Sequence, residues 1–276
     1  MTTPGALVLV GTPIGNLDDL SPRAAAALRS ADLILCEDTR HTRKLLDHIG
    51  IREAAVESFH DHNEDEKAGR IADRIAAGAR VALVSDAGMP VISDPGFALV
   101  RAARERGLTI EVIPGPFAGA MALAASGIAP LPFTFFGFAP HRQGERLDFY
   151  RDVAARGTTS VIYESPERIV ESLADALQAL GEVQCSVARE MTKIHEEFLS
   201  GTISSVHETL ATRERIRGEI TVVFGAAKAA TRPASADEIA AEFERLRAGG
   251  MRRNDAIKVI AEQFGMRKND VYRMLV

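Results

Sequence analysis

Cysteine is scarce. Cys36 and Cys185 are the only two in 276 residues, and they stand far apart. That excludes a disulfide framework and a cysteine-built zinc site. Long apolar runs are missing too: none approaches the ~20 residues that cross a bilayer. The opening MTTPG lacks the basic stretch that begins a secretory signal. The expectation is a cytoplasmic protein with no membrane partner. Positive charge is also short. The formal net charge is −5, which rules out a basic nucleic-acid coat over the whole surface. The deficit is uneven, because residues 231–276 hold nine Lys/Arg against seven Asp/Glu, a local +2 that leaves −7 on residues 1–230. Finally, there is no G-x-G-x-x-G and no G-x-x-x-x-G-K-[ST]. A dinucleotide fingerprint and a P-loop are therefore both absent.

What is present is a full core and a recurring pattern. Hydrophobic residues make up 46% and charged residues 26%, as in soluble globular proteins. The length leaves room for two domains of ordinary size. The stretch that organises the chain is Ser85-Asp86-Ala87-Gly88-Met89-Pro90-Val91-Ile92-Ser93-Asp94-Pro95-Gly96. The apolar run Val81–Val84 enters it, and a helical pattern from Phe97 leaves it. That order reads as a buried parallel strand with a loop at its C-terminal end, where open α/β sheets bind ligands. Its glycines permit close backbone approach and its prolines stiffen it. Asp86 and Asp94 are placed to accept hydrogen bonds from hydroxyls or amines. A well-capped strand–loop–helix without a ligand fits the spacing equally well.

The same alternation runs through most of the chain. Strands are expected at 6–10, 33–36, 55–59, 81–84 and 109–113, with polar or Gly/Pro-rich turns after them. Ser21-Pro22 opens the first helix as N-cap and first helical residue. Glu37-Asp38-Thr39-Arg40-His41 follows the second strand as a possible site, or simply as the cap of the next helix. His60-Asp61-His62-Asn63 is better read as a polar loop before a helix than as a metal site, because no third ligand is specified. Ala129-Pro130-Leu131-Pro132 resembles a linker. Beyond it strands recur at 133–138, 160–163, 184–188, 196–201 and 220–224, so a second α/β domain is expected. A second linker covers 226–234, and the tail is helical in pattern. Ser235-x-x-Glu238 there has the form of a capping box. Asn254 is expected to cap a second helix, with Phe264 inward and Gly265 as its end. A third helix begins near Lys268. A helix-turn-helix and a generic three-helix cap share this periodicity. The domain division that follows is 1–128, 129–226 and 227–276.

The motifs VGTPIGNLDDLSPRA, CEDTRHTRKLL, VSDAGMPVISDPG, PGPFAGAMAL, YESPERI, ARE-x-TK and GEITVV together resemble the ribosomal-RNA branch of the tetrapyrrole methylase superfamily. The resemblance covers nearly the whole chain. One departure is Met89, where the family usually has Thr after SDAG. The resemblance implies two α/β domains of the tetrapyrrole methylase type, with a donor cleft between them and a small C-terminal helical domain. It implies S-adenosylmethionine as methyl donor and no metal. The acceptor it implies is the ribose 2′-hydroxyl of a cytidine in small-subunit (16S) ribosomal RNA, free or within the assembled subunit. Carried over residue by residue, the donor site takes Gly11 and Pro13 from the first turn and Asp86, Ala87, Gly88, Met89 and Val91 from the second loop. Pro116, Phe117 and Ala118 come from the PGP turn. Tyr163, Glu164, Ala188, Arg189, Ile220 and Thr221 come from the second domain. A homodimer is also implied. The small-residue helix 118–126 would serve at its interface, or equally well inside one domain.

A ribose hydroxyl is a poor nucleophile until it is aligned and loses its proton. Alignment supplies up to roughly 7–11 kcal/mol, and a general base about 10²–10⁴ in rate. Asp38 and Glu190 lie in polar strand-end clusters and are the candidate bases. Arg40 and Lys193 in the same clusters are candidate clamps for RNA phosphates. Caps and surface ion pairs account for all four residues equally well. Two alternatives stay open: a tetrapyrrole C-methyltransferase of the same superfamily, and a non-catalytic nucleic-acid-binding regulator built on the tail.

Overall fold

The computed structural model describes residues 5–61, 63–227, 236–263 and 268–275. His62, most of the second linker, the Ser235 end of the expected capping box, and Phe264 and Gly265 lie outside the described residues. The first half is a five-stranded parallel sheet in the order β3-β2-β4-β1-β5. Its strands are β1 (Ala6–Val10), β2 (Leu33–Cys36), β3 (Val56–Ser58), β4 (Arg80–Leu83) and β5 (Thr109–Ile113). Every residue of β1 and β2 is buried, as continuous apolar runs in a sheet covered on both faces must be. The helices α1 (Pro22–Arg29), α2 (Thr39–His48), α3 (Glu64–Ala76) and α4 (Phe97–Glu105) connect them. Ser21 caps α1 by accepting from the Ala24 N–H at 3.1 Å, and Pro22 starts the helix. Asp38 caps α2.

The second sheet has the order β6-β7-β10-β8-β9. It contains β6 (Phe133–Phe138), β7 (Thr159–Glu164), β8 (Gln184–Arg189), β9 (Glu197–Thr202) and β10 (Ile220–Phe224). Only β6 and β7 run parallel; β10 is antiparallel to both β7 and β8, and β9 is antiparallel to β8. The direct loop from β8 to β9, with no helix between them, permits that reversal. Helices α6 (Gln143–Arg156), α7 (Ile169–Leu180) and α8 (Ile203–Ala211) cover it. A buried ion pair sits in this layer: the Arg146 guanidinium meets Asp175 at 2.7 Å, with the two side chains 2% and 5% exposed.

The two halves share an apolar seam. The helix α5 (Ala118–Ala125) leaves the first sheet and lies on the second. Its Ala122 and Leu123 are buried with Val161, Ala188 and Val223 of the second sheet and with Ile14 of the first turn. The small residues of α5 are thus used within one chain, where they allow close packing onto a sheet. The tail holds α9 (Ala236–Ala248), α10 (Arg253–Gln263) and α11 (Lys268–Met274). Ile239, Ile257, Ile260, Ala261 and Val271 form a core of their own there. Asn254 does not cap α10. The N–H groups of Asp255 and Ala256 both donate to the Arg252 carbonyl, at 3.0 Å each, so Asn254 lies in the first turn.

Candidate active site

Three strand-end turns of the first sheet are fastened to one another. Thr12 and Gly88 exchange backbone hydrogen bonds of 2.9 and 3.1 Å, and the Thr12 hydroxyl donates to the Ser85 carbonyl at 3.1 Å. Gly11 N–H donates to Ile113 at the end of β5. Gly11 and Gly115 touch backbone to backbone: a methyl group on Gly11 would stand 2.5 Å from the Gly115 Cα. Gly88 has φ +87°, and its α-carbon faces the Pro116 carbonyl. Glycine is required at both places, for room at the first and for backbone conformation at the second. The turns after β1, β4 and β5 therefore act as one rigid wall.

The second sheet supplies the opposite wall. The cleft between them has a volume of about 350 Å³, within the ~300–1,000 Å³ of small-molecule sites. Asp86, Ala87, Gly88, Met89, Pro116, Phe117 and Ala118 line it from one side, and Tyr163, Glu164, Ile220 and Thr221 from the other. An aromatic row crosses the seam: Phe117 packs edge-on against Phe135, Phe135 against Tyr163, and Tyr163 against Phe138, with ring centroids 5.0–5.3 Å apart. Burial pushes the Tyr163 phenol up to about 12.

The remaining expected residues stand behind or beside the cleft. Gly11 and Pro13 are buried in the first turn, and Val91 packs onto the first core. Ala188 belongs to the apolar seam. Arg189 pairs with Glu197 at 3.0 Å and donates to the Arg217 carbonyl. The Glu164 carboxylate is buried and committed to Arg168, Ser172 and the Ser165 N–H, so it shapes the wall from within. Asp94, expected with Asp86 as a hydrogen-bond acceptor, lines the cleft too, and several further lining residues were not anticipated as site residues: Ile14, Ile92, Ser93, Phe138, Ser165, Pro166, Gly218 and Glu219. Asp94 and Ser93 belong to the same motif as Asp86, and Glu219 directly precedes Ile220. Extending each motif by its neighbours would have found them.

The four polar candidates lie at the margin. The Asp38 carboxylate accepts from the Arg40 backbone N–H at 2.8 Å and from its guanidinium at 3.1 and 2.8 Å, which holds it down at about 2. Arg40 itself is 88% exposed. The Asp38 N–H donates to Asp86 at 3.2 Å, which ties the second strand end to the donor loop. Glu190 accepts from Lys193 at 2.8 Å and from the Glu219 N–H at 3.0 Å. Although burial alone would raise Glu190, these contacts hold it below the usual range. Lys193 also reaches Glu219 at 3.1 Å. None of the four lines the cleft. Backbone strain gathers in the loop after β4 and in the loop of Glu190 and Lys193. Among the described residues the non-glycine positions with positive φ are Val91, Ser93, Glu190 and Thr192. Such strain persists only where the surroundings over-determine it.

The cleft carries a negative field. Burial raises Asp94 to about 7, and the charges of Glu37, Asp86 and Asp61 add to that rise. Glu37 is raised as well, by burial first and then by Asp86 and Asp61. A site of this charge favours a cationic ligand over a phosphate, consistent with the missing phosphate loops. Among the described residues no cluster of His, Cys, Asp and Glu could hold a metal ion.

Fold and cleft together define a class: two-sheet α/β proteins that take a small ligand between their sheets without a dinucleotide fingerprint. A family model described as "Tetrapyrrole (Corrin/Porphyrin) Methylases" matches residues 6–207. The chain belongs to this family of methyltransferases. It is 48% identical over 230 residues to "Ribosomal RNA small subunit methyltransferase I" of Xylella fastidiosa, covering 82% of this chain and 84% of that one. It is 40% identical to the protein of the same name from Mesorhizobium japonicum, covering 98% and 91%. Among solved structures, diphthine synthase matches with TM-score 0.60 at 15% identity, over 80% of this chain and 90% of that one. Uroporphyrin-III C-methyltransferase from Thermus thermophilus matches with TM-score 0.55 at 20% identity, over 80% and 94%. At those identities the likeness is one of fold.

Proposed function

We propose that this chain transfers a methyl group from S-adenosylmethionine to the ribose 2′-hydroxyl of a cytidine in 16S ribosomal RNA. The observation that carries the reading is the 39–48% identity, over most of the chain, to proteins named for methylating small-subunit ribosomal RNA. The donor supplies an electrophilic methyl group on a positively charged sulfur. The residues of the cleft suit it in three ways. Backbone groups of the fastened turns offer hydrogen bonds to its polar ends. Apolar and aromatic walls from Met89, Phe117 and Tyr163 take the rest. The surrounding carboxylates favour its two cationic groups.

Arg40 and Lys193 remain the proposed contacts to the RNA backbone. Arg40 stands in the first turn of α2, just past a strand end of the first sheet, and Lys193 on the loop after β8 of the second, where it lies against Gly15 of the first turn. Both are ion-paired, but exposed pairs are worth about 0–1 kcal/mol, so a phosphate can replace the carboxylate partner of Arg40. The tail, with its local +2, is proposed to reach more distant RNA. We also take the protein to act in the cytoplasm as a homodimer; no described helix is long and apolar enough to cross a membrane. Primer extension at low nucleotide concentration tests the reaction, because a 2′-O-methyl group stalls the polymerase. A stop at one cytidine of 16S RNA should disappear when the gene is deleted and return when it is restored. An unchanged pattern of stops refutes the acceptor.

A further inference from the structure

A turn at the rim of the cleft presents an apolar side chain to solvent. Ile194 is 98% exposed, the most exposed large apolar side chain among the described residues. Single exposed apolar residues are common on protein surfaces; the scaffold beneath this one is not. The Lys193 carbonyl accepts from the Glu196 N–H at 3.1 Å, so Ile194 and His195 are the two central residues of a β-turn. Glycine, proline, asparagine, aspartate and serine favour such places, and a β-branched apolar residue has no local reason to stand there.

The turn is held from both sides of the cleft. Glu190 and Thr192 below it have φ +51° and +66°, conformations that persist only where the surroundings enforce them. On one side the Asn16 N–H donates to the Thr192 hydroxyl at 3.1 Å, and Lys193 packs on Gly15, next to the cleft-lining Ile14. On the other, the Glu190 N–H donates to the carbonyl of the cleft-lining Glu219 at 3.0 Å, and the Glu219 N–H donates back to the Glu190 carboxylate at 3.0 Å. Within the loop the Thr192 N–H donates to the Glu196 carboxylate at 2.6 Å. The tip is therefore fixed at the edge of the cleft, and its exposure is imposed by the loop.

The charges around the tip select its occupant. Lys193 and His195 flank it in sequence. Arg215 and Arg217 belong to the neighbouring segment: the Arg189 guanidinium donates to the Arg217 carbonyl at 3.1 Å, and Gly218 lies against the Glu190 side chain. Both arginines are exposed, and among the described residues neither is ion-paired. Of the acids nearby, Glu190 and Glu219 are bound by Lys193, and Glu196 by the Thr192 N–H, which leaves Glu214 beside the two arginines. An apolar tip with exposed guanidinium groups near it fits an unpaired nucleobase and the phosphates on either side of that base. We propose that Ile194 packs against the face of a base next to the acceptor cytidine, and holds it out of its stack while the acceptor ribose enters the cleft. This rests on the functional reading above and deepens it. Apolar side chains act in this way as wedges between bases. Ile194 acts away from the reacting atoms, so its loss appears in the KM for RNA and not in donor affinity.

The test uses the full-length protein with 16S RNA or small subunits from a strain lacking the gene, whichever the wild-type protein methylates. The chain has no tryptophan, so Ile194→Trp installs a single reporter at the tip. Its emission should be quenched by the RNA and not by inorganic polyphosphate, which offers charge without bases. Ile194→Ala should raise the KM for RNA about tenfold, while Ile194→Leu stays near wild type. In Ile194→Ala the melting temperature, the donor affinity by calorimetry and the slope of RNA affinity against salt should be unchanged, because no phosphate contact is lost. A wild-type KM in Ile194→Ala overturns the assignment and leaves the functional reading intact. So does tryptophan emission that ignores RNA or answers polyphosphate equally. A dimer that dissociates on Ile194→Ala, seen by light scattering, also overturns it and gives the tip to a second copy of this chain. A wild-type protein that neither binds nor methylates small-subunit RNA overturns the functional reading, and the wedge with it.

Discussion

Gly11→Ala puts a methyl group where the first and third turns already touch. Its Cβ would stand 2.5 Å from the Gly115 Cα, 2.6 Å from the Gly115 nitrogen and 2.8 Å from the Met89 sulfur, against the 3.4–4 Å of ordinary contact. Met89 can swing away, but the Gly115 backbone cannot without moving the PGP turn. The two turns must part by about an ångström, and overpacking of this kind costs ~1–3 kcal/mol. In a chain of this size that lowers the melting temperature by about 2–4 °C per kcal/mol. The larger effect is on function, because Pro116, Phe117 and Met89 all line the cleft. A misplacement of ~1 Å can cost about 10² in rate, and donor affinity should fall at least tenfold, about 1.4 kcal/mol. Calorimetric titration with S-adenosylmethionine reads the affinity, and a thermal melt reads the fold. Gly144→Ala is the control, since a Cβ there meets nothing within 4 Å; it should leave donor binding unchanged. A folded Gly11→Ala protein that binds donor with wild-type affinity would refute the idea that these turns form the donor wall.

Asp175→Ala leaves the buried Arg146 guanidinium with only the exposed Glu171 carboxylate at 3.7 Å and the His141 carbonyl, and should cost ~3–5 kcal/mol in chemical denaturation; a loss below about 1 kcal/mol would mean that Glu171 or water takes over the charge. Glu197 is held down at about 2, first by its hydrogen bonds to Arg213 and then by those to Arg189. A depressed carboxylate adds stability above its unfolded value, about 4.3, and that stability is lost as pH falls through about 2. Glu197→Gln should therefore flatten the stability profile in that window, and an identical profile would deny the coupling. Arg40→Ala and Lys193→Ala should weaken RNA binding without affecting the donor, and each lost phosphate contact should reduce the salt slope by about 0.7. Arg40 should show the larger effect, because Lys193 is already held by two carboxylates; unchanged slopes would make both simple surface ion pairs.

The architecture was legible because its signals are local. Buried parallel strands read as short apolar runs, and Ser21-Pro22 and Asp38 gave helix starts that the structure repeats. The direction of β9 and β10 was not legible, because an apolar strand carries no mark of whether its neighbour is parallel. Asn254 misled because a residue type common at caps also occurs in first turns. At the site, the motifs pointed to the cleft walls but not to the inner limits of each wall. Ala188 and Thr221 lie opposite each other on paired strands, yet Thr221 lines the cleft and Ala188 packs in the seam. That difference depends on where α5 lies, which no local pattern encodes. The commitment of Asp38 to Arg40 was open to reading, since residues two apart at a helix start are natural partners. The burial of Asp94 beside Glu37, Asp86 and Asp61 was not, because those acids come together only in three dimensions.

The most direct test of the central claim is to follow the methyl group. Purified protein is incubated with S-adenosylmethionine carrying an isotopically labelled methyl group, and with either 16S RNA or small subunits from a strain lacking the gene. The RNA is digested to nucleosides and examined by mass spectrometry. The account predicts label in 2′-O-methylcytidine, at one position, and no label when the protein is left out. Label on a base, on another nucleoside or on a porphyrinogen supplied alongside would contradict it, and so would RNA that stays unlabelled while the donor binds.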